Sequence, residues 1–214
     1  MKSTGVLPPE VIAIVDLSYA RGFEHWLHTI RRLSDLPRDP ALCVQIRAKT
    51  LSPDEVEKSA KLAREAFQND SVILSWNGDP AMATTCGYDA CHQSQANISK
   101  LPRESAHLIH SASVHDEASL KEAETCGVDF AVFGPVFEPH WKKVHVQGID
   151  ELKRFTSLAR IPVLAIGGIN LDTVATVSQT NACGVACLSG VMDAQNPIEA
   201  VVSLKKRWRQ FQCT

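Results

Sequence analysis

Short, nearly continuous apolar runs alternate with segments of helical periodicity along the whole chain. The first run, Val11-Ile12-Ala13-Ile14-Val15, is followed by a helical pattern through Trp26 and Ile30. A second run at 42–46 leads into Ser52-Pro53-Asp54-Glu55. There Ser52 can cap a helix, Pro53 takes the first helical position and Glu55 completes a capping box. Further strands are expected at 72–74, 88–92, 108–114, 130–133, 162–166 and 185–188. Helices are expected at 80–85, 116–126, 149–158, 171–178 and 197–211. The fourth unit is the weakest, because 93–102 offers little helix. Strands that are continuously apolar, rather than alternating, belong to a parallel sheet covered on both faces. Eight strand–helix units in 214 residues predict one α/β domain over 1–214, a (β/α)8 TIM barrel spanning about 11–211. No linker, low-complexity tract or second domain interrupts it.

Composition is that of an ordinary globular chain, 44% hydrophobic and 21% charged. A net charge of −2 argues against a nucleic-acid partner. No apolar run approaches the ~20 residues of a bilayer span, so no membrane partner is expected. The segment 1–9 lacks an apolar signal core, and a cytoplasmic location is expected. The seven cysteines are odd in number, scattered, and contain no Cys-x-x-Cys, unlike a secreted disulfide framework. Cys183 and Cys187 are expected on one strand, sharing a face. Most of the cysteines read as small buried hydrophobes.

In such a barrel the chemistry sits on the loops that follow the strands. Those positions carry Asp16; Arg47 and Lys49; Asn77 and Gly78; His92 and Gln93; Ser113 and His115; Gly134, Pro135, Lys142 and Lys143; Gly167 and Gly168; Ser189 and Gly190. The loops Ala165-Ile166-Gly167-Gly168-Ile169-Asn170 and Leu188-Ser189-Gly190-Val191 are expected to bind phosphate, since glycines let backbone N–H groups approach an anion. Arg47, Lys49 and Lys142 suit a second anion, while Lys143 reads as solvated surface charge. His115, directly after strand five, can carry protons or pack its helix. His140 and His145 share a loop without a carboxylate pair to complete a metal site. His107 and His110 read as structural, Trp26 and Trp208 as helix faces packed on the barrel, and Trp76 as a wall of the site.

Val44-Gln45-Ile46-Arg47-Ala48-Lys49 resembles the Gln-Leu-Arg-x-Lys strand of thiamine phosphate synthases. Ser113-Val114-His115, Phe133-Gly134-Pro135-Val136-Phe137 and the two glycine loops follow in that family's order, covering roughly 11–200. The chain is similar to the thiamine phosphate synthase / TenI superfamily. The synthase joins an aminopyrimidine diphosphate to a thiazole phosphate, with magnesium held by two aspartates. TenI proteins include an isomerase that converts a thiazole carboxylate phosphate to its aromatic form by acid–base chemistry.

The resemblance assigns Arg47, Lys49 and Lys142 to diphosphate contacts, Asn77 and Ser113 to the positions after strands three and five, and Gly134, Gly167, Gly168, Ser189 and Gly190 to ligand and phosphate loops. It also marks departures. The synthase's Asn-Asp is Asn77-Gly78 here, and the second acidic position falls in Gln95-Ala96-Asn97. Loss of both carboxylates removes the charge that would hold magnesium, and Asp79 is only a weak substitute. Asn77-Gly78, Phe137-Glu138 and the doubled lysine resemble TenI. The histidine of TenI tautomerases, however, aligns with Pro135. His115 or His140 would then carry the protons, and His140 lies on the matching loop. The expected reading is a TenI-like barrel for a thiazole or thiamine phosphate, with His115, His140 and Lys142 catalytic and no cofactor. The alternatives are a synthase with an altered site, which alone would call for magnesium, and a catalytically silent binding protein. The sequence leaves the oligomeric state open, a homo-oligomer included.

Overall fold

A computed structural model describes residues 7–67, 72–101 and 108–212. His107, Cys213 and residues 1–6 lie outside the described residues. Eight parallel strands close into a barrel in sequence order. They are β1 (Val11–Asp16), β2 (Leu42–Arg47), β3 (Ile73–Asn77), β4 (Ala90–Gln93), β5 (Ile109–Val114), β6 (Phe130–Phe133), β7 (Val163–Ile166) and β8 (Gly184–Cys187). β1 pairs with β2 on one side and with β8 on the other, closing the ring. The helices are α1 (Phe23–Leu33), α2 (Pro53–Ala66), α3 (Pro80–Thr85), α4 (Glu117–Thr125), α5 (Ile149–Leu158), α6 (Val174–Ser178), α7 (Ser189–Met192) and α8 (Pro197–Gln212). The TIM barrel expected from the pattern is the fold of the chain.

Local chemistry starts α2 and α4 close to where the sequence placed them. At α2 the Glu55 carboxylate accepts from Ser52 N–H at 3.0 Å and from its hydroxyl at 2.6 Å. Asp116 caps α4 by accepting from Ser119 N–H at 2.7 Å. Two apolar layers follow from alternation along the strands. Ile12, Ile14, Cys43, Phe130, Val132, Leu164 and Ala186 fill the barrel interior. The opposite faces pack outward on the helices, with Trp26, Trp208, Phe133 and Phe155 buried. Burying each such side chain contributes roughly 1.5–3 kcal/mol.

Several expectations are corrected. β3 runs to Asn77 rather than ending at 74. A 3-10 helix, Gln95–Lys100, occupies the stretch read as nearly helix-free, and α7 was not foreseen. Cys183 precedes β8, so it shares no strand with Cys187. Trp76 belongs to the outer layer, with its ring 5.5 Å from that of Tyr88, and does not wall the site. Among the described residues no helix is long and apolar enough to cross a membrane.

Candidate functional site

A cavity of about 550 Å³ opens at the C-terminal ends of the strands. Parallel register brings the inward-facing residues to one level, since every second side chain of a strand points inward. β2 to β5 present Gln45, Arg47, Asn77, His92 and Ser113 to the cavity. β6, β7, β8 and the middle of β1 present Val132, Ile166, Ala186 and Ile14, while Asp16 at the end of β1 joins the polar side. One wall is therefore polar and basic, and the other apolar, a division that suits a flat ring carrying anionic groups.

On the polar wall Arg47 is ion-paired to Asp16 and also donates to Ser18 Oγ at 3.0 Å. Asp16 further accepts from the N–H and hydroxyl of Ser18, at 3.0 and 2.8 Å. Lys49 is an exposed residue at the rim. Desolvation of its ammonium, then the neighbouring Arg47 charge, lower its pKa, with Asp16 opposing. Asn77 donates to Gln45 Oε1 at 3.0 Å, leaving its own Oδ1 without a partner. Both ring nitrogens of His92 contact serine hydroxyls, Ser111 and Ser113, at 2.9 Å. Burial, then the charges of Lys49 and Arg47, push its pKa down to about 3. His92 is thus neutral; the sequence placed it among the residues that follow the strands without giving it a role, and Gln45 entered only as part of the Val44–Lys49 motif.

The loops after β6 and β7 interlock on the opposite side. Val136 N–H donates to Ile166 O at 2.7 Å, and Phe137 N–H to Gly167 O at 3.0 Å. The crossing is close enough to require glycine. A Cβ on Gly134 would lie 2.1 Å from Ile166 O, and one on Gly167, at φ +100°, 2.4 Å from Pro135 Cβ. Gly168, at φ +61°, meets Phe137 in the same way. Gly190 packs on Cys187, whose Sγ would be 2.8 Å from an added Cβ.

His115 lines the cavity, and its Nδ1 lies 2.7 Å from Gly134 O. A carbonyl only accepts, so Nδ1 carries a proton, and in the neutral imidazole Nε2 is left as an acceptor. Lys142 also lines the cavity, with Nζ 4.5 Å from the centre of the Trp141 ring. That ring meets Tyr19 edge-on at 5.2 Å.

The cavity thus unites Arg47, Lys49, Asn77, Ser113, His115, Gly134, Lys142, Gly167, Gly168 and Ser189. It does not take in Gly190 or His140, which line a second depression with Glu138, Asn170 and Asp193. His140 is 68% exposed there, with Nε2 3.3 Å from the Asp193 carboxylate. Lys143 pairs with Glu138 at 3.1 Å and is 92% exposed, as a surface charge should be.

The donor set does not fit magnesium. Asp16 is the one carboxylate lining the cavity among the described residues, and it is committed to Arg47. Asp79 instead caps α3, accepting from Ala81 N–H at 2.9 Å. Hard divalent ions need several free oxygen ligands, and no cluster of three or more His, Cys, Asp or Glu among the described residues could hold one.

Comparison with known proteins agrees with this architecture. The family model described as thiamine monophosphate synthase matches residues 25–191. A thiamine-phosphate synthase of Pyrococcus horikoshii is 39% identical over 169 residues, covering 78% of this chain and 82% of the relative. One from Caldivirga maquilingensis is 27% identical over 168 residues, covering 77% and 82%. The solved thiamine phosphate pyrophosphorylase of Pyrococcus furiosus superposes with a TM-score of 0.77 at 25% identity, covering 98% of this chain and 99% of that one. KGPDC from Streptococcus mutans, at 13% identity and a TM-score of 0.68 over 95% and 99% of the two chains, shares the fold.

Proposed function

This chain belongs to the thiamine monophosphate synthase / TenI family, and we propose that it binds a phosphorylated thiazole at the barrel mouth and isomerises it by proton transfer. One observation carries the reading. Among the described residues the cavity offers no free carboxylate for a metal, yet it holds a histidine whose ring is fixed by the Nδ1–Gly134 contact, which leaves Nε2 of the neutral imidazole to accept a proton. Nε2 of His115 takes a proton from one ring position and returns it to another. Meanwhile the Gly134 carbonyl stabilises the charge that forms on the imidazole. Gly167, Gly168 and Ser189 hold the phosphate, and Arg47, Lys49 and Lys142 hold a second anionic group such as a carboxylate.

The test is solvent deuterium incorporation into a thiazole carboxylate phosphate, followed by NMR. Exchange should be rapid with the wild-type protein and fall at least about a hundredfold in His115→Asn. Two outcomes would replace the reading. The relatives' name favours the synthase alternative, and robust magnesium-dependent condensation of the two phosphorylated halves would establish it. Pro135 at the tautomerase histidine position favours a silent binding protein. That reading wins if neither reaction occurs while the thiazole phosphate still raises the melting temperature.

A further inference from the structure

His92 sits between two hydroxyls, and the donor count there is tight. A neutral imidazole has one N–H and one bare nitrogen, so it donates to one serine and accepts from the other. Ser111 is 1% exposed, and His92 Nδ1 is its side-chain partner among the described residues. A proton on Nδ1 would leave the Ser111 O–H a buried donor with no acceptor, which interiors rarely tolerate. A Ser111 O–H donating to Nδ1 leaves only lone pairs unfilled, a smaller cost. Nε2 then carries the proton and donates to Ser113 Oγ. That contact uses an acceptor site of Ser113 and frees its O–H proton. Ser113 is half-buried and lines the cavity, so the open direction for that proton is the ligand.

We propose that His92 is a positioning residue whose Nε2–H fixes Ser113 as a hydrogen-bond donor to an anionic oxygen of the ligand. The same polarity runs along the neighbouring strands. Asn77 donates to Gln45 Oε1, so the group that Gln45, which lines the cavity, has left to offer is its amide N–H. Arg47 and Lys49 supply donors only. The charged groups facing His92 are Lys49 and Arg47, with Asp16 bound to Arg47, so nothing near the ring favours an imidazolium. The groups that Ser113, Arg47 and Lys49 offer on this wall are donors, which suits an oxyanion (phosphate, diphosphate or carboxylate), while the Asn77 Oδ1 acceptor is buried. The inference rests on the functional reading only for the ligand's anionic character.

The direct test is a two-bond 1H–15N correlation spectrum of full-length protein with 15N-labelled histidine, with His92 assigned from His92→Gln. At neutral pH the free protein should show His92 neutral and protonated on Nε2. A proton on Nδ1, or an imidazolium, overturns the proposal whatever the ligand. Inorganic phosphate then probes the consequence by calorimetry. Ser113→Ala should weaken its binding at the β2–β5 wall, the component that survives in Ser189→Asp protein, roughly tenfold. His92→Phe should weaken it about as much in the wild-type background and no further in the Ser113→Ala background. Additive losses would mean that His92 acts apart from Ser113 and would sink the idea. If His92→Phe fails to fold, the spectrum decides. If phosphate does not bind the wild-type protein, the phosphate reading of the cavity fails, and the tautomer still stands or falls by its spectrum.

Discussion

At Gly78 the absence of a side chain has a packing reason as well as a chemical consequence. A Cβ there would lie 2.7 Å from Trp76 Nε1, and Trp76 is 2% exposed against the Tyr88 ring. Restoring a synthase-like acid by Gly78→Asp should therefore destabilise the fold by about 1–3 kcal/mol in denaturant unfolding. It should create no calorimetric magnesium binding. A stable variant that binds magnesium would show that only the missing acid separates this site from a metal site. Ser189, which borders both the cavity and the second depression, carries the complementary prediction. Ser189→Asp places like charge beside the proposed phosphate and should weaken thiazole phosphate binding on the order of a hundredfold; unchanged affinity would move the phosphate elsewhere. Residues such as Ser189 and His115 were legible because they directly follow apolar strands. His140 was not, because its loop position gives no hint that it turns to Asp193. His92 was legible as a residue at the end of the fourth strand but not in its role, because nothing in the sequence shows the two serine hydroxyls that its ring meets.

At the scale of elements, the start of α3 settles what Asp79 does. Its carboxylate accepts from Ala81 N–H, and Pro80 takes the first helical turn, a cap worth about 1 kcal/mol. Asp79→Ala should lower stability by that amount and leave phosphate binding unchanged. A loss of ligand affinity with unchanged stability would instead make Asp79 part of the site. The elements themselves were largely readable. α5 coincides with the span expected from its periodicity, and α4 differs only at its ends. β3 was cut short because Ser75 and Asn77 face the barrel interior, where an apolar-run criterion cannot follow. The polar inward residues that hid part of β3 are the ones that build the site. The 3-10 helix and α7 escaped for a different reason. Neither is long enough for a 3.6-residue pattern to repeat.

For the whole molecule, the mouth of the barrel holds the chemistry and the opposite end secures closure. There α8 bonds to the entries of β1 and β2. Arg209 donates to both Glu10 carboxylate oxygens, at 2.6 and 3.0 Å, and Lys205 is ion-paired to Asp39. Asp39 also accepts from Ala41 N–H at 3.0 Å, just before β2 begins. Burial alone would raise the Asp39 pKa, but the Lys205 hydrogen bond, the Ala41 N–H and the nearby charges outweigh it, and the net shift is downward. A carboxylate whose folded pKa is depressed stabilises the native state fully above its unfolded value of ~3.9, and loses that contribution as pH falls through the folded value. Asp39→Asn should therefore cost about 1–2 kcal/mol at neutral pH, where Lys205 would be left 11% exposed without its partner. The difference between the two proteins should shrink in acid and vanish once Asp39 is protonated in both states. Thermal melts across pH check this, and a difference that stays constant into strong acid would mean that Asp39 acts through packing. Because this pair lies at the face away from the cavity, phosphate affinity at neutral pH should be the same in both proteins, which separates the stabilising end of the barrel from the binding end.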